Sequence, residues 1–131
     1  MTQEDKELLL KDLCARLPYN VRVEYNGTTL TNIFDVLGIA HGRIMLCLPF
    51  MSKTEYPLIE EVKSYLFPMS SMTEEQKEEY HNNCNVGLNR QGNEVYYDCD
   101  ESLDWLNAHH FDYRGLIEKG LALDATGMNI Y

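Results

Sequence analysis

At 131 residues the chain is sized for one modest hydrophobic core and a single domain. An apolar share of 44% with 11% aromatics is that of a globular protein and argues against intrinsic disorder. Twenty-one acidic against eleven basic side chains leave a net charge of −10, which repels a phosphate backbone and puts nucleic-acid binding last among the functions considered.

No run of about 18 apolar residues is present, so no membrane-spanning helix is expected. The start, Met1-Thr-Gln-Glu-Asp-Lys-Glu, lacks the basic region of a signal peptide, and the expectation is a cytoplasmic protein. Cys14, Cys47, Cys84 and Cys99 form no Cys-x-x-Cys pair. Cys14 and Cys47 read as small core hydrophobes, and all four are expected as free thiols.

Thr2 followed by Asp5 is a capping pattern, after which Leu9, Leu10, Leu13, Cys14 and Leu17 recur at helical spacing up to Pro18. Asn20 to Tyr25 alternates, Asn26-Gly27 suits a two-residue hairpin turn, and Thr28 to Ile33 resumes the alternation. Leu37-Gly38 and His41-Gly42 punctuate the next stretch. Arg43 to Leu48 reads as a third strand, apolar enough to be buried on both faces, and Val62 to Phe67 as a fourth closed by Pro68. A helix followed by a meander of short strands predicts an α+β fold, with a small twisted antiparallel sheet or an SH3-like or Sm-like barrel spanning about 19–68. Sm-like proteins usually present basic loops to RNA, and those cations are missing here.

The capping box of Thr73 with Gln76 opens a charged connector helix over about 73–80. Asn82 to Asn93, rich in Asn and Gly, reads as a loop, and Glu94 to Cys99 as a further strand. Ser102 is placed as an N-cap of a helix in which Leu103, Leu106 and His110 share a face. Asp112 then caps a second short helix, ended by Gly120 in a Schellman motif with Leu121 against Leu116, to give a helical hairpin over about 102–125.

Ser70 to Lys77, Asp104 to Leu123 and the closing Gly127-Met128 and Tyr131, with a fainter Ala15-Arg-Leu-Pro-Tyr, carry a resemblance. They are similar to small acidic proteins encoded by prophages and mobile elements of gut Bacteroides-type bacteria. That likeness implies a bacterial cytoplasm and an accessory role. No catalytic residue is carried over from it, and no cofactor is expected.

Between Gln91 and Tyr113 the chain carries Glu94, Asp98, Asp100, Glu101, Asp104 and Asp112 and no Lys or Arg. Such a field suits a basic partner, or solubility alone. Trp105, Phe111, Tyr113 and Arg114 are residue types of binding hot spots; Trp105 and Phe111 read as core, Tyr113 and Arg114 as surface. Zinc would need His81, Cys84, Cys99 and His109 or His110, in a spacing that matches no standard finger. Asp98, Asp100, Ser102 and Asp104 imitate the start of a calcium loop, but Leu103 replaces the turn glycine and His109 the bidentate glutamate. His110 and Asp112 beside Cys84 or Cys99 form the one nucleophilic arrangement to consider, and phosphate-cradling glycine loops are absent. The favoured expectation is a non-enzymatic interaction protein whose acidic face, Glu94, Asp98, Asp100, Glu101 and Asp104 with Tyr113 and Arg114, meets a basic surface on a host or phage protein. The rival is a small metal- or thiol-dependent enzyme.

Overall fold

The computed structural model describes residues 1–25, 33–47 and 54–131. Helix α1 spans Gln3–Arg16. The Thr2 hydroxyl accepts from the Asp5 amide at 3.1 Å while the Asp5 carboxylate accepts from the Thr2 amide at 3.3 Å, the reciprocal box expected. Beyond Arg16 the chain tightens into a 3₁₀ turn, Leu17–Tyr19, and Asn20 turns left-handed with φ 60°. The buried face differs from the expected one. Leu9 and Leu13 point inward, but Leu10 and Cys14 are exposed, and Asp12 and Arg16 complete the buried stripe. At about 100° per residue, positions 9, 12, 13 and 16 share one face from which 10 and 14 are rotated away.

Strands β1 (Arg22–Tyr25), β2 (Ile33–Ala40), β3 (Arg43–Cys47) and β4 (Thr54–Glu55) pair antiparallel in succession, with Glu24 opposite Ile33. The expected Asn26-Gly27 turn and the strand start at Thr28 lie outside the described residues. Leu37-Gly38 does not interrupt the sheet: β2 runs through it with a register shift between Val36 and Gly38, a bulge that absorbs one residue. The tight hairpin turn is His41-Gly42, where φ values of 53° and 74° set Ala40 opposite Arg43. Nor is β3 buried on both faces. Ile44 and Leu46 are buried in a core cluster with Leu13 of α1, which packs on their face, while Met45 and Cys47 on the opposite face are half-buried.

Strand β5 (Val62–Pro68) stops at Pro68 as expected. Helix α2 (Glu74–Asn83), strands β6 (Asn85–Leu88) and β7 (Glu94–Tyr97), helix α3 (Asp100–Ala108) and strands β8 (Phe111–Asp112) and β9 (Ala122–Asp124) come after it. The sheet runs β4-β3-β2-β1-β5-β8, with β9 also on β5, and no described pairing joins its two ends. It is mixed, not purely antiparallel, because β8 and β9 join β5 in parallel. The fold is α+β. The strand buried on both faces is β5: Val62 and Leu66 meet the clusters that include Leu13 and Leu9 of α1, while Tyr65 packs with Ala125 and Ile130.

Three further expectations change. The Asn/Gly-rich stretch from Asn82 to Asn93 contains the end of α2 and all of β6. Helix α3 starts three residues before the expected point: Cys99 is the cap, and its amide donates to the Ser102 hydroxyl at 2.8 Å. The second helix of the expected hairpin is a single turn, since Phe111-Asp112 is drawn into the sheet beside Phe67-Pro68. Its signals nonetheless operate. Both Asp112 oxygens accept at 2.9 Å, from the Leu116 and Ile117 amides. Gly120 is left-handed (φ 72°), its amide donates to Ile117 and that of Leu121 to Leu116, and Leu116 and Leu121 pack in one cluster. No helix among the described residues is long and apolar enough to cross a membrane.

Candidate functional site

Among the described residues, strands β6 and β7 pair only with each other, as a two-stranded sheet separate from the main one. Their loop is built locally. The Asn89 side chain accepts from the Gln91 and Asn93 amides, the Gly92 amide donates to the Asn89 carbonyl, and Gly92 is left-handed with φ 80°. Glycine stands where the backbone of this hairpin loop requires it.

The register sets Val86 opposite Tyr96 and Leu88 opposite Glu94, so these four side chains share one face. Val86 is 57% exposed, Leu88 70% and Tyr96 40%. On the other face Tyr97 covers Gly87, where a Cβ atom would come within 2.9 Å of its ring. A two-stranded ribbon is marginal alone, and this one is fastened to the helices. The His81 ring of α2 stacks on Tyr96 at 4.0 Å and 5°.

The capping box at Thr73 and Gln76 forms as expected, but α2 buries none of its residues fully and runs three residues further than predicted. It is anchored by Tyr80, which packs on Trp105 and donates to Asp98 at 2.6 Å. Burial and the Asp98 carboxylate push the Tyr80 phenol far up, so it acts as a permanent donor. Ser102 donates to the same Asp98 oxygen at 3.0 Å, and the Cys99 thiol to the Asn83 carbonyl at 3.0 Å. Helix α2, the hairpin and the start of α3 are thereby tied together. Between α2 and the hairpin lies an open groove of about 660 Å³ whose lining includes Glu74, Glu75, Lys77, Glu78, His81 and Tyr96.

The expected acids divide among different tasks. Glu94 lies on the exposed apolar face of the hairpin, and Asp98 is held by Tyr80 and Ser102. Asp100 and Glu101 sit in the first turn of α3, where the helix dipole favours them, and Asp104 is exposed further along it. Glu101's own backbone amide at the helix start, with a bond to Cys99, holds its carboxyl below the usual range. Tyr113 and Arg114 are engaged within the fold. Arg114 donates to the buried Asp12 at 2.9 Å, not to Asp112 or Glu118, and stacks over the Tyr113 ring at 4.6 Å; the Tyr113 hydroxyl donates to Asn107. By sequence alone the α2 glutamates that line the groove belong to a solvated connector. They gain a site only with the hairpin beside them.

The histidines of the metal and thiol alternative stack on aromatic rings of the fold. Among the described residues no three or more His, Cys, Asp or Glu side chains are grouped to hold an ion. His81 stacks on Tyr96, His109 stacks on Trp105 and bonds its carbonyl, and His110 stacks on Tyr131. Burial pushes the Cys84 thiol up, which disfavours the thiolate a nucleophile or ligand needs. Neither family models, nor curated proteins, nor solved structures yield a match to this chain.

Proposed function

We propose that this protein is a non-enzymatic interaction module that binds a basic surface of a partner protein through the hairpin and the acidic groove beside it. One observation carries the reading: Val86, Leu88 and Tyr96 project together from a ribbon outside the main sheet, next to three glutamates of α2. Exposed apolar clusters rimmed by polar groups characterise interaction sites. The chain's charge of −10 selects a cationic partner and disfavours a second copy of itself. An aromatic platform of Tyr96 on His81 suits an arginine or lysine of that partner by cation–π attraction. An accessory role in a phage or mobile element belongs to the same proposal, supported by the sequence resemblance alone.

The test is affinity capture from a bacterial lysate with three baits: wild type, a Val86→Ser/Leu88→Ser pair, and a Glu74→Lys/Glu75→Lys/Glu78→Lys triple. The reading expects a basic protein on the wild type that is lost from both variants and weakened by salt. Capture of the same proteins by all three baits would refute it.

A further inference from the structure

A second concavity, of about 460 Å³, lies at the end of β5 and is lined by His110 among other residues. Its volume is that of small-molecule sites. Phe67, Phe111 and Tyr131 supply aromatic walls, Ser71, Gln76 and Thr126 supply neutral polar groups, and His109 lines it beside His110. In a protein with 24% charged residues, no Asp, Glu, Lys or Arg among the described residues lines it.

His110 is the unusual member. It is 8% exposed and adopts a left-handed backbone, φ 62°, that few non-glycine residues take. That conformation is held by its amide donating to Asn107 at 3.2 Å and its carbonyl accepting from Phe67 at 2.8 Å. Its ring stacks on Tyr131 at 3.5 Å, and Tyr131 is fixed in turn, its hydroxyl donating to the Tyr65 carbonyl and accepting from the Arg22 amide, each at 2.8 Å. The imidazole Nδ1 is buried, with no hydrogen-bond partner among the described residues. Burial first, then the charge of Arg16, lowers its pKa to about 4, so the ring is neutral at pH 7. An unsatisfied polar atom on a rigidly held, strained residue weakens a fold and is characteristic of functional sites.

We propose that this cavity binds a neutral, planar aromatic compound bearing an amide-like hydrogen-bonding edge. The walls select the ring, a lining without Asp, Glu, Lys or Arg offers ions no direct counter-charge, and Gln76, Ser71 and Thr126 around the His110 imidazole select the polar edge. The proposal goes beyond the partner-binding reading and does not depend on it.

Benzamide, benzoate and benzamidine share one ring and differ in charge, so they test the class directly. Titrated into the ¹⁵N-labelled full chain, benzamide is expected to shift the Ala108, Thr126 and Gly127 amides saturably, with a Kd of about 1 mM. Benzoate and benzamidine are expected to bind at least about tenfold more weakly. His110→Phe keeps a ring against Tyr131 and should weaken benzamide about tenfold, the effect of one lost hydrogen bond. Thr126→Val, at an exposed position, gives a second variant that should weaken it several-fold should His110→Phe disturb folding. The proposal falls if those amides show no saturable shift, if the charged compounds bind as well as benzamide, or if a folded variant binds it unchanged. The Val86→Ser/Leu88→Ser protein should bind benzamide like wild type, which keeps this outcome separate from partner binding.

Discussion

Replacing Asp12 with alanine removes the one carboxylate among the described residues that bonds two guanidinium groups at the junction of α1 with the segment after α3. Asp12 and Arg16 are both 0% exposed, joined at 2.9 Å through Arg16 Nε, and Arg114 reaches the other Asp12 oxygen at 2.9 Å from a side chain 16% exposed. Arg16 also donates to the Phe111 carbonyl at 2.6 Å, but its Nη1 has no partner among the described residues, which offer it no reserve acceptor. Without Asp12 a guanidinium is left in the interior without a counter-charge. Breaking such a buried pair costs about 3–5 kcal/mol, a large share of an ordinary domain's stability. Urea unfolding followed by Trp105 fluorescence measures the loss, and at an m-value near 2 kcal/mol/M the midpoint should fall by about 2 M. Removing the exposed Lys6–Glu60 pair, each side chain 37% exposed, should cost under about 1 kcal/mol. A loss for Asp12→Ala as small as that would refute the assignment of a buried, mutually dependent cluster. An Asp12→Ala/Arg114→Met cycle should show strong coupling, since the two side chains touch.

His110 makes stability depend on pH. Its folded pKa of about 4 lies below the unfolded value near 6.5, so the unfolded chain takes up a proton that the folded one refuses. Its contribution is fully present above pH 6.5 and is lost as pH falls through 4, on the order of 3 kcal/mol in all. Wild type should lose about that much stability relative to His110→Gln between pH 7 and 4; a constant difference would contradict the shift. Asp112→Ala frees two amides of the turn beyond β8 and should cost about 1–2 kcal/mol in the same urea assay. The Val86→Ser/Leu88→Ser pair should change the unfolding midpoint by less than about 0.5 kcal/mol in equivalent stability, because both residues are already exposed.

Signals confined to a few neighbouring residues translate into structure here. Thr2 with Asp5, Thr73 with Gln76, Pro68 as a strand stop and Gly120 as a Schellman stop all work as their local chemistry requires. What fails depends on distant partners. Asp12 and Arg16 read as solvated helix charges because Arg114, which completes their cluster, lies 102 residues from Asp12. Phe111-Asp112 carries capping chemistry for a helix, but pairing with the end of β5 outweighs that preference. The hairpin strand Val86 to Leu88 is hidden by the Asn and Gly residues around it, and with it the groove. At the candidate site, acidic character is therefore legible in the sequence while its assignment to residues is not. Glu94 sits on the hairpin face itself, the glutamates of α2 replace the remaining predicted acids in the groove, and Tyr113 and Arg114 are engaged within the fold.

The pairing of β5 sets an order for folding. One edge is occupied by β1, from about forty residues earlier in sequence, and the other is shared end to end by β9 against Ser64 to Leu66 and β8 against Phe67 and Pro68. During synthesis β5 therefore emerges with a bare edge that stays unpaired until residues 111–124 have left the ribosome. An apolar strand in that state is a template for pairing with other chains. Polypeptides ending before Ala122 should accordingly aggregate, whereas the same chain extended through Asp124 closes the edge from within.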